Sequence, residues 1–294
     1  MRLKLTIYLI ISFSLIGCQK EKQLSPNTTV QNLFAVSDDA TDVESVLRRN
    51  FFKEENTYLL FTDTLEKKYL GQDAYGDDSW FVERVNIDYS INNTGDMGRV
   101  TVFPKMVQKQ EAVNFLKNHI LSHLGQPLRP YSFLLSDSYD IYDSYRDTWK
   151  KYNIKTGLRC IVLSLGTVLQ QDESQQKIYV DEVLLEIMKA ALSKQDETVL
   201  STFYSYSNAY YSLDKEYDLG WPIELNDHKV REIGFLKDIS RYYLPSEKQD
   251  LEAFLQQVLS VKRTDFLNTY GAYPLVLAKY DILTEIVTDL GFKL

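Results

Sequence analysis

A chain of 294 residues with 44% hydrophobic and 25% charged residues has enough apolar sequence to bury one large core. Its net charge of −8 argues against nucleic acid as a partner and against direct adsorption to anionic lipid. The two cysteines are Cys18 and Cys160, and acylation of the first leaves no intramolecular disulfide, so stability has to come from burial.

Residues 1–17 predict a cleaved signal peptide. Arg2 and Lys4 supply a positive start, residues 5–15 an apolar run, and Gly17 the small residue at the cut. Leu15-Ile16-Gly17-Cys18 fits a lipobox, which makes Cys18 the expected lipidation site. Acyl chains there hold a protein at a membrane with about 0.8 kcal/mol per buried CH₂. The apolar run is too short for a spanning helix. Residues 18–40 read as a lipid-anchored tether, starting Gln19-Lys20-Glu21-Lys22 and staying polar through Gln31, and residues 41–294 as one folded domain. The charges after Cys18 are similar to the short signals that send Bacteroidetes lipoproteins to the cell surface. That similarity implies an outer-membrane, lipid-anchored, surface location.

Along the folded part, 43–52 predicts a helix and 57–62 a short strand. Residues 81–90 alternate imperfectly, Asn92-Asn93-Thr94-Gly95-Asp96 is a turn cluster, and 99–103 predicts a strand. Residues 108–124 predict a helix with Val113, Leu116, Ile120 and Leu124 on one face and Gly125 as its stop. Residues 131–135 and 160–165 read as buried strands, and 178–180 as an edge strand. A helix is expected over 181–195, with Asp181 as N-cap and Val183, Leu184, Ile187 and Ala191 on one face. Tyrosine-rich polar sequence follows to about Asn226, then helices over 250–261 and 274–290. Strands first and helices later predict an α+β fold: one globular domain, a small mixed sheet, several long helices and a helix-rich C-terminal half.

The IVLSLG strand at 161–166, the helix at 181–195, Ile233-Gly234-Phe235 with the acidic helix after it, and the closing PLVLAKYDILTEIVTDLGF resemble the zinc metallohydrolase (zinc-binding metallopeptidase-like) lipoproteins of Bacteroidetes. That family is associated with SusC/SusD-type import. The resemblance covers roughly the second half of the mature chain and implies a zincin-like domain. Active members carry HExxH on the central helix, where two histidines one turn apart hold zinc and the glutamate activates its water. Placed here, that motif puts Ile187 and Ala191 at the histidine positions and Met188 at the glutamate position. The following acidic motif falls at 249–253, with Gln249 and only Asp250 keeping the expected carboxylate. The resemblance therefore implies a divergent, non-catalytic member with no cofactor, binding a peptide or glycan or docking on a SusC/SusD-type transporter. Met188, Lys189, Tyr204, Tyr206, Tyr210 and Tyr211 are the expected binding groove.

The rival reading is an active zinc hydrolase with other ligands. His119-Ile120-Leu121-Ser122-His123 has the histidine spacing without the glutamate, and His228 is the remaining histidine to join it. Asp137, Asp140, Asp143 and Asp147 read as a solvated acidic loop without the EF-hand glycine and glutamate pattern. Cys160, inside an apolar run, reads as a small buried hydrophobe. No GxSxG elbow, P-loop or dinucleotide-binding glycine pattern occurs.

Overall fold

The strands Ser132–Ser136 and Ile161–Ser164 are buried along their whole length because both of their faces are covered. The computed structural model describes residues 32–87, 98–222, 227–238 and 240–294. Residues 1–31, with Cys18, and the turn cluster 92–96 lie outside the described residues. The central sheet contains β1 (Tyr58–Leu60), β5 (Ser132–Ser136), β8 (Ile154–Thr156) and β9 (Ile161–Ser164) in the order β1-β5-β9-β8. β1, β5 and β9 run parallel, with Tyr58 opposite Ser132 and Phe133 opposite Ile161, while β8 closes the edge antiparallel to β9.

Successive side chains on these strands point to opposite faces, which divides the core into two layers. Leu59, Phe133, Leu135, Ile161 and Leu163 enter the large core shared with the helices. Leu60, Leu134 and Val162 enter a smaller core closed by Phe34, Val85, Ile87, Tyr139 and Ile141. The longer helices on the large core are α1 (Val43–Glu55), α2 (Met106–Phe115), α3 (Glu173–Leu192), α6 (Glu247–Ser260), α7 (Arg263–Tyr270) and α8 (Pro274–Asp289). Two short helices, α4 (Ser201–Ser205) and α5 (Asp227–Glu232), lie between α3 and α6 in the chain. The predicted α+β class, the mixed sheet and the helix-rich second half are all present. No described helix is long and apolar enough to cross a membrane.

Several local expectations need correction. Residues 178–180 are not an edge strand; they belong to α3, which starts eight residues earlier than its apolar stripe suggests. Asp172 is the cap, its Oδ1 accepting the Gln175 N–H at 2.9 Å, whereas Asp181 sits inside the helix and pairs with Lys177 at 2.6 Å. The first turns of α3 are exposed, so they carry no 3.6-residue pattern to read. Similarly, α6 starts at Glu247, because Ser246 and Gln249 form a reciprocal capping box ahead of Asp250. The acidic stretch 137–147 is a hairpin rather than a loop: β6 (Ser138–Asp143) pairs with β7 (Thr148–Tyr152), and β4 (Gly98–Thr101) flanks β6. A second hairpin, β2 (Thr64–Gln72) with β3 (Asp78–Arg84), is exposed along most of both strands and so shows no clear apolar alternation.

The predicted helix 108–124 keeps its buried face but not its regularity. Residues 116–120 form a π turn and 121–123 a 3₁₀ turn, yet Val113, Leu116, Ile120 and Leu124 are all buried. Gly125 does not stop the helix by a left-handed turn. It permits close approach of the C-terminal turn, since its N–H donates to Gly291 O at 2.8 Å and a Cβ there would lie 2.7 Å from that oxygen.

Candidate functional site

Helix α3 divides the residues that the family resemblance had grouped together. Met188 is wholly buried and Ile187 nearly so, both within the large core, while Ala191 is half-buried. None of these side chains is a Cys, His, Asp or Glu, so the residues at these three positions do not fit zinc. Ile187, Ala190 and Ala191 instead form one wall of a cavity of about 210 Å³, which also meets Arg129, Tyr131, Arg159 and Lys194. Lys189 points to another face of α3, where it joins Glu186 at 2.7 Å and Glu252 of α6 at 3.4 Å. Gln249 is committed to the α6 cap, its Oε1 accepting the Ser246 N–H at 2.9 Å.

The tyrosine-rich segment is mostly packing around a charge that sequence reading missed. Lys279 of α8 is fully buried and donates to Asp250 Oδ2, to Ser207 Oγ at 3.1 Å and to Tyr211 Oη at 3.3 Å. Tyr211 in turn donates to Asp250 at 2.7 Å. The ammonium faces the rings of Phe203 at 4.6 Å, Phe254 at 5.0 Å and Phe235 at 5.2 Å from their centroids. Burial pushes the Asp250 carboxyl up and the Lys279 ammonium down, and each is opposed by the partner's charge. Burial, then the Asp250 charge, likewise pushes the Tyr211 phenol well up. A signal existed, because Lys279 stands on the same helical stripe as Val276, Leu283 and Val287, where a lone cation needs a buried partner.

The expected groove of Met188, Lys189, Tyr204, Tyr206, Tyr210 and Tyr211 is therefore not one surface. Met188 is inside the core, Tyr204 and Tyr211 stack edge to face at 5.8 Å, and Tyr210 and Tyr211 both pack on a small cluster with Phe235 and Leu244.

The three histidines are also placed apart in role. His119 is exposed and packs on Phe115, and His123 lies 3.2 Å through Nδ1 from Lys293 O. Both line a groove of about 520 Å³ together with Glu173 and Asp181 of α3. His228 lies on α5, with Nδ1 2.9 Å from Tyr273 Oη and Nε2 3.4 Å from Glu232. Among the described residues, no three His, Cys, Asp or Glu side chains are grouped so as to hold a metal ion. Three carboxylates of the β6–β7 hairpin have local partners: Asp140 faces Arg99 at 3.5 Å, Asp143 accepts the Tyr145 and Arg146 N–H groups, and Asp147 accepts from Tyr142.

Cys160 immediately precedes β9 with its side chain in the smaller core, and burial pushes its thiol up to about 12. The thiolate fraction at neutral pH is then roughly 10³-fold below that of a thiol at 9. Iodoacetamide should leave Cys160 unlabelled in the native protein and label it in urea, as read by peptide mass mapping. Labelling of Cys160 at the same rate in both states would contradict the burial.

No family model matches the chain, and no curated protein matches it. It is similar to the crystal structure of a "putative zinc-binding metallo-peptidase" from Bacteroides caccae, with 14% identity over 85% of this chain and 88% of that chain and a TM-score of 0.45.

Proposed function

We propose that the protein is a non-catalytic, metallopeptidase-related lipoprotein of the outer-membrane surface, anchored through Cys18, that assists a SusC/SusD-type uptake system by binding a peptide, a glycan or the transporter. The observation that carries this reading is the chemistry of α3. The two positions one turn apart where the family resemblance expects zinc-binding histidines are Ile187 and Ala191, which help to wall a cavity, and the glutamate position is the wholly buried Met188. A wall of this kind can hold a ligand by contact but supplies neither a metal donor nor a base. The address rests on Arg2, Lys4, the apolar run and Leu15-Ile16-Gly17-Cys18.

The test is metal analysis of the purified full chain after dialysis against trace zinc, with peptide hydrolysis assayed in parallel and membrane extracts checked for a co-purifying importer. The reading expects no stoichiometric zinc, no chelator-sensitive hydrolysis and an importer component in the eluate. About one tightly held zinc per chain overturns it and redirects attention to His119, His123 and His228.

A further inference from the structure

The charged side chains that line the cavity beside α3 are all cations. In a chain with net charge −8, its lining contains Arg129, Arg159 and Lys194 and no aspartate or glutamate. Arg129 is held in place, 12% exposed, by Glu55 at 2.9 Å, so that pair contributes little net charge. Arg159 and Lys194 are exposed and, among the described residues, neither pairs with a carboxylate. The Arg159 guanidinium lies 4.4 Å from the Tyr131 ring centroid and 4.6 Å from that of Phe34, which orients its planar fork without using its N–H groups.

The end of α3 would ordinarily repel an anion, because helix carbonyls there carry partial negative charge. Here those carbonyls are occupied: Lys189 O accepts from the Ser193 N–H at 3.0 Å, and Ala191 O accepts from the Lys194 N–H and from Gln195 Nε2. Below the cations the wall is Ile187, Ala190 and Ala191, which offers contact area and no hydrogen bonds.

We infer that this cavity is a binding site for a carboxylate carried on a small apolar body of about ten non-hydrogen atoms, the acid facing Arg159 and Lys194 and the body lying on Ile187 and Ala191. The inference rests on the proposed binding role and names its ligand chemistry. Such a group is presented equally by a free small acid and by a peptide ending in an apolar residue.

The test uses the full chain with labelled isoleucine and alanine methyl groups, titrated with 3-phenylpropionate and with 3-phenylpropionamide, which differ in charge but hardly in shape. The acid is expected to shift the Ile187, Ala190 and Ala191 methyl signals and to bind about tenfold more tightly than the amide. The Arg159→Gln/Lys194→Gln variant, altered only at exposed positions, should bring the two probes to within about twofold. A peptide ending in free phenylalanine, compared with its C-terminal amide, assigns the source: tighter binding than 3-phenylpropionate points to peptide ends, weaker binding to free acids. Equal affinity for acid and amide, an acid preference that survives in the double variant, or no methyl shift up to about 10 mM acid would each overturn the inference. These outcomes are separate from zinc content, so the anion site and the non-catalytic reading can fail independently.

Discussion

Replacing Lys279 with alanine is expected to lower the unfolding free energy by about 3–5 kcal/mol, the usual loss when one partner of a buried ion pair is removed. The size of the effect follows from what remains. Asp250 is 1% exposed, and without the ammonium it keeps only the Tyr211 hydroxyl, so it must fold either as an unpaired anion or as a neutral acid. Phe203, Phe235 and Phe254 also lose the group that fills the space between their rings. The double variant Lys279→Met/Asp250→Leu removes both charges while keeping volume, and it should recover most of the loss or exceed the parent. Urea unfolding of the three proteins measures this. A single-variant loss below about 1 kcal/mol would show that the pair is not buried as described.

Writing the zinc motif back into α3 is expected to unfold the protein rather than to create an enzyme. Ile187→His and Ala191→His place imidazoles at a cavity wall, where they can be accommodated, but Met188→Glu puts a carboxylate at a position with no exposure. A carboxyl buried among apolar side chains has its pKa raised by up to 3–5 units and so folds protonated; at neutral pH that protonation costs about 3–4 kcal/mol, and burying the unpartnered neutral acid adds about 1–3 kcal/mol. That is comparable to the whole stability of many domains. Circular dichroism and solubility of Met188→Glu, alone and in the triple variant, give the answer. A folded triple variant that binds zinc and hydrolyses peptides would mean that α3 turns this face toward an open cleft, contrary to the packing observed.

The parts of the fold that could be read from the chain are those whose burial imposes a pattern. β5 and β9 appear as short apolar runs, Phe133 to Leu135 and Ile161 to Leu163, because the two cores cover both of their faces, and α6 and α8 appear as stripes because one side of each helix meets the large core. Both hairpins escaped notice for the opposite reason. β2, β3 and β7 are largely solvated, so exposed polar and aromatic residues alternate with nothing to mark a face. The early turns of α3 were lost in the same way, and the π turn at 116–120 leaves no trace in sequence because it changes backbone spacing while preserving the buried residues.

The candidate site divides along the same line. Sequence alone determined that residues 187, 188 and 191 carry no zinc donors, since the side-chain types are sufficient for that, and the address proposed for the apolar start and Cys18 rests on sequence alone. Tertiary structure alone decided that Met188 and the tyrosines do not share a groove, that Lys279 meets Asp250, and that Arg159 and Lys194 line the cavity beside Ile187 and Ala191. Side-chain chemistry is local and is written in the residue, whereas a cavity or a buried ion pair exists only between segments far apart in the chain, whose meeting depends on how every element packs.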